Sequence, residues 1–256
     1  MILIDTHTHL FLEEFDSDRM ETVHRAISTG VKKFFLPNIN SASISALLYL
    51  EKQFPENCFA MMGMHPCSVN EKYEEELTVA EHWLSKRKFR AIGEIGMDYY
   101  WDKTFIPQQK DAFSKQIDLS KKYSLPIVIH QRECFDDLFE IVKTKNSASL
   151  QGIFHCFTGT IEQANKIISL GGFKMGIGGA VTYKKSKLPE ALKQIDLKHI
   201  VLETDSPYLT PAPHRGERNE SSYITFVAQK IAEIKGISVE EVAEITTKNA
   251  EEIFSH

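Results

Sequence analysis

Ten histidines are spread along the 256 residues, and five of them stand where they could do chemistry. His7 and His9 close an apolar run, Met1-Ile2-Leu3-Ile4, that reads as a buried strand. Side chains alternate faces on a strand, so two histidines two residues apart project together. Such a pair is half of a metal site, because neutral imidazole is the commonest nitrogen ligand for Zn, Mn or Fe. Alone, it fits a hydrogen-bonded core histidine equally well. The other candidates shift that balance: His65 in Gly63-Met64-His65-Pro66, Glu94 in Gly93-Glu94-Ile95-Gly96, His130 after Pro126-Ile127-Val128-Ile129, His155 after Gly152-Ile153-Phe154, and Asp205 in Glu203-Thr204-Asp205-Ser206-Pro207. Each follows an apolar run. The remaining histidines, His24, His82, His199, His214 and His256, lie in helical patterns, at a strand start, in a loop or at the tail.

The elements that must position these residues alternate regularly. Strand-like runs occupy 1-5, 33-36, 59-62, 90-93, 126-129, 152-154, 172-175 and 199-202. Helical spacing fills 17-29, 41-54, 75-87, 107-123, 133-145, 160-170, 186-195 and 219-235, with a last helix near 239-254. Thr160-x-x-Gln163 and Ser238-x-x-Glu241 fit capping boxes, and Gly30, Gly171 and Gly236 stand where helices should stop. Eight strands alternating with eight helices predict an α/β fold: a (β/α)8 TIM barrel, one domain over 1-256, with an extra C-terminal helix. An open doubly wound sheet is the other candidate, but no GxGxxG turn follows the first strand. In a barrel the catalytic groups gather at strand C-termini, where these candidates fall.

Composition limits the partners. Net charge is −5, without the basic excess of a protein that coats nucleic acid, so positive charge toward a polyanion must be local, with bound cations as the obvious source. Cys58, Cys67, Cys134 and Cys156 show no CxxC spacing, which suits reduced thiols in the cytoplasm. No apolar stretch reaches the ~18–20 residues of a membrane span, and no signal-peptide pattern opens the chain. No obligate protein partner is evident.

Four histidines and two carboxylates exceed the four ligands of a structural zinc. They suit two divalent ions (Mg2+, Mn2+ or Zn2+) ~3.5–4 Å apart, bridged by a carboxylate and a water-derived hydroxide. Glu94, mid-barrel with Gly93 and Gly96 beside it, is the candidate bridge. His7, His9 and Asp205 would hold one ion, and His130 with His155 the other. Asp205 could also take a proton from the activated water. Glu203 shares its strand face and could orient ligands.

The sequence resembles the TatD family of metal-dependent deoxyribonucleases, within the amidohydrolase-like barrels, from Met1 to about Phe254. Matching segments are Ile4-Asp5-Thr6-His7-Thr8-His9-Leu10, Gly63-Met64-His65-Pro66, Gly93-Glu94-Ile95-Gly96-Met97-Asp98-Tyr99-Tyr100 and Leu125-Pro126-Ile127-Val128-Ile129-His130. They continue with His155-Cys156-Phe157-Thr158-Gly159, Leu202-Glu203-Thr204-Asp205-Ser206-Pro207-Tyr208-Leu209, Arg215-Gly216-x-Arg218-Asn219-Glu220 and Thr247-x-Asn249-Ala250. The resemblance implies His7, His9, Glu94, His130, His155 and Asp205 as metal ligands, and a phosphate contact for His65. Departures are Met97 where Leu is usual, Gln131 where Ser is common, and Ser221 where Pro is expected.

For a phosphodiester substrate the surroundings should offer cationic donors and aromatic faces. Arg132, two residues beyond His130, is a candidate phosphate clamp; the loop with Arg215 and Arg218 is a second, and Lys184-Lys185 a third. Tyr99, with Tyr100 and Trp101, could receive a base or sugar. Local rather than global positive charge favours a grip on a short single strand or an end, and the resemblance also implies a 3′-5′ exonuclease on DNA. A metallohydrolase of a small ester, lactone, amide or phosphate ester is the alternative, and a non-enzymatic metal- or nucleic-acid-binding protein the third.

Overall fold

The computed structural model describes residues 1–255; the tail histidine His256 lies outside the described residues. Among these, eight strands alternate with helices in the anticipated order: β1 (Leu3–Asp5), α1 (Arg19–Ser28), β2 (Val31–Pro37), α2 (Ile44–Gln53), β3 (Cys58–Met61), α3 (Tyr73–Lys86), β4 (Ile92–Asp98), α4 (Ile106–Tyr123), β5 (Ile127–Arg132), α5 (Phe135–Lys145), β6 (Gly152–Phe154), α6 (Ile161–Ser169), β7 (Phe173–Ile177), α7 (Leu188–Leu192), β8 (Ile200–Leu202), α8 (Ile224–Lys235) and α9 (Val239–Phe254). All strand pairs are parallel and sequential. Their residues are almost continuously apolar because both faces are covered, as parallel sheets with flanking helices require.

The strands form a three-stranded sheet, β1-β2-β3, and a five-stranded sheet, β4 to β8. Sparse backbone bonds cross both seams. A parallel bridge pairs Met62 with Ile92 between β3 and β4. Between β1 and β8 the N–H groups of Thr6, Asp205 and His9 donate to Leu202, His7 and Ser206 at 3.0, 2.9 and 2.8 Å. The ring of strands is therefore tied, at its β1–β8 seam, by the very segments that carry His7, His9 and Asp205.

Helix ends follow the chemistry read from the sequence. Thr160 accepts from the N–H of Gln163 while Gln163 returns a bond to the Thr160 N–H, a complete capping box. Ser238 accepts from Glu241 N–H at 3.2 Å. Gly236 ends α8 in the left-handed region, where a side chain would be strained.

Two boundaries differ usefully from expectation. Strand β4 runs on to Asp98 rather than stopping at Gly93, because Ile95, Gly96, Met97 and Asp98 pair in register with Ile129, His130, Gln131 and Arg132. Gly96 permits that approach: at φ +144° a Cβ there would stand 2.0 Å from the His130 carbonyl oxygen. Helix α8 begins at Ile224 rather than 219, because the Asn219 amide is occupied elsewhere, donating to the carbonyls of Thr204 and Tyr208. Ser221, the departure from the family pattern, opens a single 3-10 turn and donates to the Thr8 hydroxyl at 3.2 Å.

One apolar cluster, Ile4, Phe35, Met61, Val128, Ile153 and Val201 from the strands, Ala91 just before β4, and Ala250, Ile253 and Phe254 from α9, plugs one end of the strand ring. The Phe35 and Phe254 rings stack at 3.7 Å. No helix among the described residues is long and apolar enough to cross a membrane.

Candidate metal centre

At the other end of the ring, strand periodicity replaces that apolar layer with polar residues. Val128 is followed two residues on by His130, Ile153 by His155, and Val201 by Glu203. The same alternation that turns the first of each pair inward turns the second inward too, burying His155 and Glu203 and leaving His130 partly exposed. The six proposed ligands converge there. His7 Nε2 and His9 Nε2 lie 3.2 Å apart. Glu94 Oε2 stands 3.1 Å from His7 Nε2 and 3.6 Å from His9 Nε2. Asp205 Oδ1 is 3.7 and 3.5 Å from the same two nitrogens. The other oxygen of Glu94, Oε1, is 2.8 Å from His130 Nδ1, 2.9 Å from His155 Nε2 and 3.4 Å from His65 Nε2. His7 and His155 stack with ring centres 3.8 Å apart.

Three overlapping groups could each hold a cation: His7-His9-Glu94, His7-His155-Asp205 and His65-Glu94-His130. The donor chemistry fits one. Glu94 is 2% exposed, and every ion-pair partner it has is an imidazole. Among the described residues no Lys or Arg pairs with it directly. The buried Nδ1 atoms of His7 and His9 and Oε2 of Glu203 have no hydrogen-bond partner, an uncommon concentration of unsatisfied polar atoms.

The electrostatics follow from this crowding. Burial penalises the charge on Glu94, but the imidazoles of His155, His65 and His7 hold its pKa well below the usual carboxylate range. Burial likewise opposes a charged His155, yet Glu94 and Glu203 on either side raise its pKa well above the usual histidine range. His7 moves the other way: burial and the neighbouring His155 lower it. Asp205 is penalised by burial, but hydrogen bonding to His9 and the charges of His155, His7 and His9 bring its pKa below normal. Its backbone is left-handed at φ +57°, a conformation Asp tolerates better than most residues.

Glu203 is fully buried, with Oε1 3.4 Å from His155 Nδ1 and accepting the Cys156 N–H at 2.6 Å. Gly176 makes room for it, since a Cβ there would stand 2.0 Å from Oε2. His65 accepts the Cys67 N–H at Nδ1, 3.0 Å, leaving Nε2 toward Glu94. Arg132 is exposed, its guanidinium 3.7 Å over the Tyr100 ring and 5.3 Å from that of Trp101. Arg215 lies over the Tyr183 ring at 3.9 Å. Arg218 turns to Asp18, making bonds of 2.8 Å from both terminal nitrogens. Tyr99 is placed differently from its neighbours. Its hydroxyl donates to Asp137 at 2.9 Å and its ring packs against the core, so of these three rings Tyr100 and Trp101 stand open.

One member of the cluster carries no role in the sequence reading. Asp98, 1% exposed, places Oδ2 2.8 Å from His130 Nε2, so that His130 lies between two carboxylates. The signal was present as Glu94-x-Gly96-x-Asp98, one face of a strand read as ending too early.

Residues 4–255 match the family described as TatD related DNase. The chain is 39% identical to YabD of Bacillus subtilis, a metal-dependent hydrolase by name, over 99% of each chain. It is 29% identical to the similarly named YcfH of Escherichia coli, covering 99% of this chain and 96% of that one. The crystal structure of the TatD homologue YjjV from Escherichia coli superposes with a TM-score of 0.93 at 28% identity, covering 99% of this chain and 98% of the other. The convergent imidazoles and carboxylates thus sit in a chain that matches at full length, and the protein belongs to the TatD family of metal-dependent hydrolases.

Proposed function

We propose that this protein hydrolyses DNA phosphodiester bonds from 3′ ends, using two divalent cations drawn from Mg2+, Mn2+ or Zn2+. The observation that carries the reading is Glu94, whose Oε2 faces His7 and His9 while Oε1 faces His130 and His155. A carboxylate with a different set of nitrogens at each oxygen is what a bridging ligand requires. His7, His9 and Asp205 would hold one cation, and His130 with His155 the other. When bound, such cations polarise a phosphoryl oxygen and bring the pKa of water to about 7.

The chain's own residues supply the rest. Asp205, held in its charged form, takes the proton of the attacking water at its carboxylate. Glu203 Oε1 orients His155 through Nδ1. His65, with Nδ1 occupied as an acceptor, carries its proton on Nε2 and donates it toward a phosphate oxygen. Arg132 and Arg215 offer the cationic grip on the flanking phosphates. Tyr100 and Trp101, rather than the core-packed Tyr99, offer a face on which a base can stack. With a net charge of −5 this local grip suits an end or a short single strand, not broad coverage of duplex.

The test is a panel of single-stranded DNA labelled at the 3′ end, RNA and small esters, incubated with Mg2+ or Mn2+ and with chelator. Release of mononucleotides from DNA that stops with chelator is expected. Turnover of small esters with no cleavage of DNA would overturn the reading.

A further inference from the structure

We infer that Asp98 is a positioning residue for the metal centre: it keeps the His130 ring proton on Nε2, which leaves the Nδ1 lone pair for a cation beside Glu94. The inference rests on the two-cation reading above and adds a residue to it. Asp98 Oδ2 lies 2.8 Å from His130 Nε2, while His130 Nδ1 faces Glu94 Oε1 at the same distance. A neutral imidazole has one ring proton, and the group hydrogen-bonded to one nitrogen decides which nitrogen can ligate. Glu94 Oε1 is shared among His65, His130 and His155, whereas Asp98 Oδ2 pairs with His130 alone among the described residues. Asp98 is therefore the acceptor dedicated to this ring.

Its other oxygen has a second task. Oδ1 accepts the N–H groups of Tyr100 at 2.8 Å and Trp101 at 3.1 Å. These two residues are the exposed rings against which the Arg132 guanidinium lies. One carboxylate thus sets both the orientation of a ligand and the start of the loop that meets the substrate. Gln109 adds rigidity, its Oε1 accepting the Asp98 N–H at 2.8 Å from α4. Only a carboxylate accepts at both ends. The amide introduced by Asp98→Asn accepts at one, so it must surrender either the imidazole or the loop.

The experiment compares the wild-type protein with Asp98→Asn, titrating Zn2+ into each by calorimetry and recording 15N-edited imidazole proton spectra of the zinc-loaded protein. The wild-type protein should show a downfield, slowly exchanging proton coupled to His130 Nε2. In Asp98→Asn that resonance should move upfield or vanish, and affinity for one of the two zinc ions should fall by about 10- to 100-fold, the usual cost of losing a partner behind a ligand. The proton is read in the wild-type protein, so that arm stands even should the variant fold poorly. A proton on Nδ1 of His130 in the zinc-loaded protein, or affinities within twofold in a variant of unchanged thermal stability, overturns the inference while leaving the metal centre standing. Failure of the wild-type protein to bind zinc at all overturns both.

Discussion

The two ends of the strand ring are built from the same strands and differ in what they leave unsatisfied. At the floor, Ile4, Phe35, Met61, Val128, Ile153 and Val201 meet the apolar face of α9, and among the described residues no buried polar side-chain atom there lacks a partner. Two residues further along, His155 and Glu203 face the same interior with buried atoms that lack a hydrogen-bond partner, while His130 stands there between the carboxylates of Glu94 and Asp98. Burial stabilises the floor and penalises the mouth. The contrast teaches a division of labour: an apolar layer that supplies cohesion lets the layer above it tolerate charges that a cation would complete.

The largest expected effect lies at the mouth. Glu94→Gln removes the charge that faces both sets of imidazoles, so metal content should drop by at least one ion per chain and nuclease activity should fall to background. Elemental analysis beside the nuclease assay checks this. A fully active, fully loaded variant would break the contrast between the two ends. At the floor the converse holds. Phe254→Ala opens a hole against Phe35 and should cost about 3–5 kcal/mol of stability by denaturant unfolding. Metal stoichiometry of the folded fraction should stay unchanged, and loss of metal there would mean that the floor also shapes the site.

A smaller effect belongs to the rim. Trp101, 68% exposed, should contribute about 1–3 kcal/mol of stacking, so Trp101→Ala should raise KM for single-stranded DNA roughly tenfold or more with little change in kcat. An unchanged KM would remove this ring from the substrate path.

The smallest effect is acid lability outside the two layers. The guanidinium of Arg218, with that of Arg25, holds the Asp18 carboxyl below its ordinary range. A carboxylate depressed in the folded state stabilises above its unfolded pKa of about 3.9 and loses that contribution as pH falls through the folded value. Asp18→Asn should therefore flatten the decline in stability below about pH 4, and leave unfolding near pH 7 modestly easier. Parallel acid curves for the two proteins would show that this network does not contribute.

Much of this was legible in the residues, and the misses have a common cause. The apolar runs of β6 and β8 and the His and acid residues that follow them stand where periodicity places them, because both faces of a parallel strand are buried. Strand β4 was harder. In sequence the run ends at Gly93, but Gly96 allows close pairing with His130, which carries the strand on to Asp98 and puts it on the face that bears Glu94. Tyr99 was indistinguishable from Tyr100 and Trp101 by type. Only the position of Asp137 on α5 decides that its hydroxyl is claimed. The Asn219 bonds that delay α8 join residues 15 and 11 positions apart, beyond what helical spacing alone can reveal.

The backbone bonds that join Thr6, His7 and His9 to Leu202, Asp205 and Ser206 tie the outset of the chain to a segment about two hundred residues later. Half of the proposed cation pocket would therefore come into being only once a nascent polypeptide has delivered its last strand. A cation held across that junction would latch it, because a ligand that favours the finished fold adds stability that grows with its own affinity.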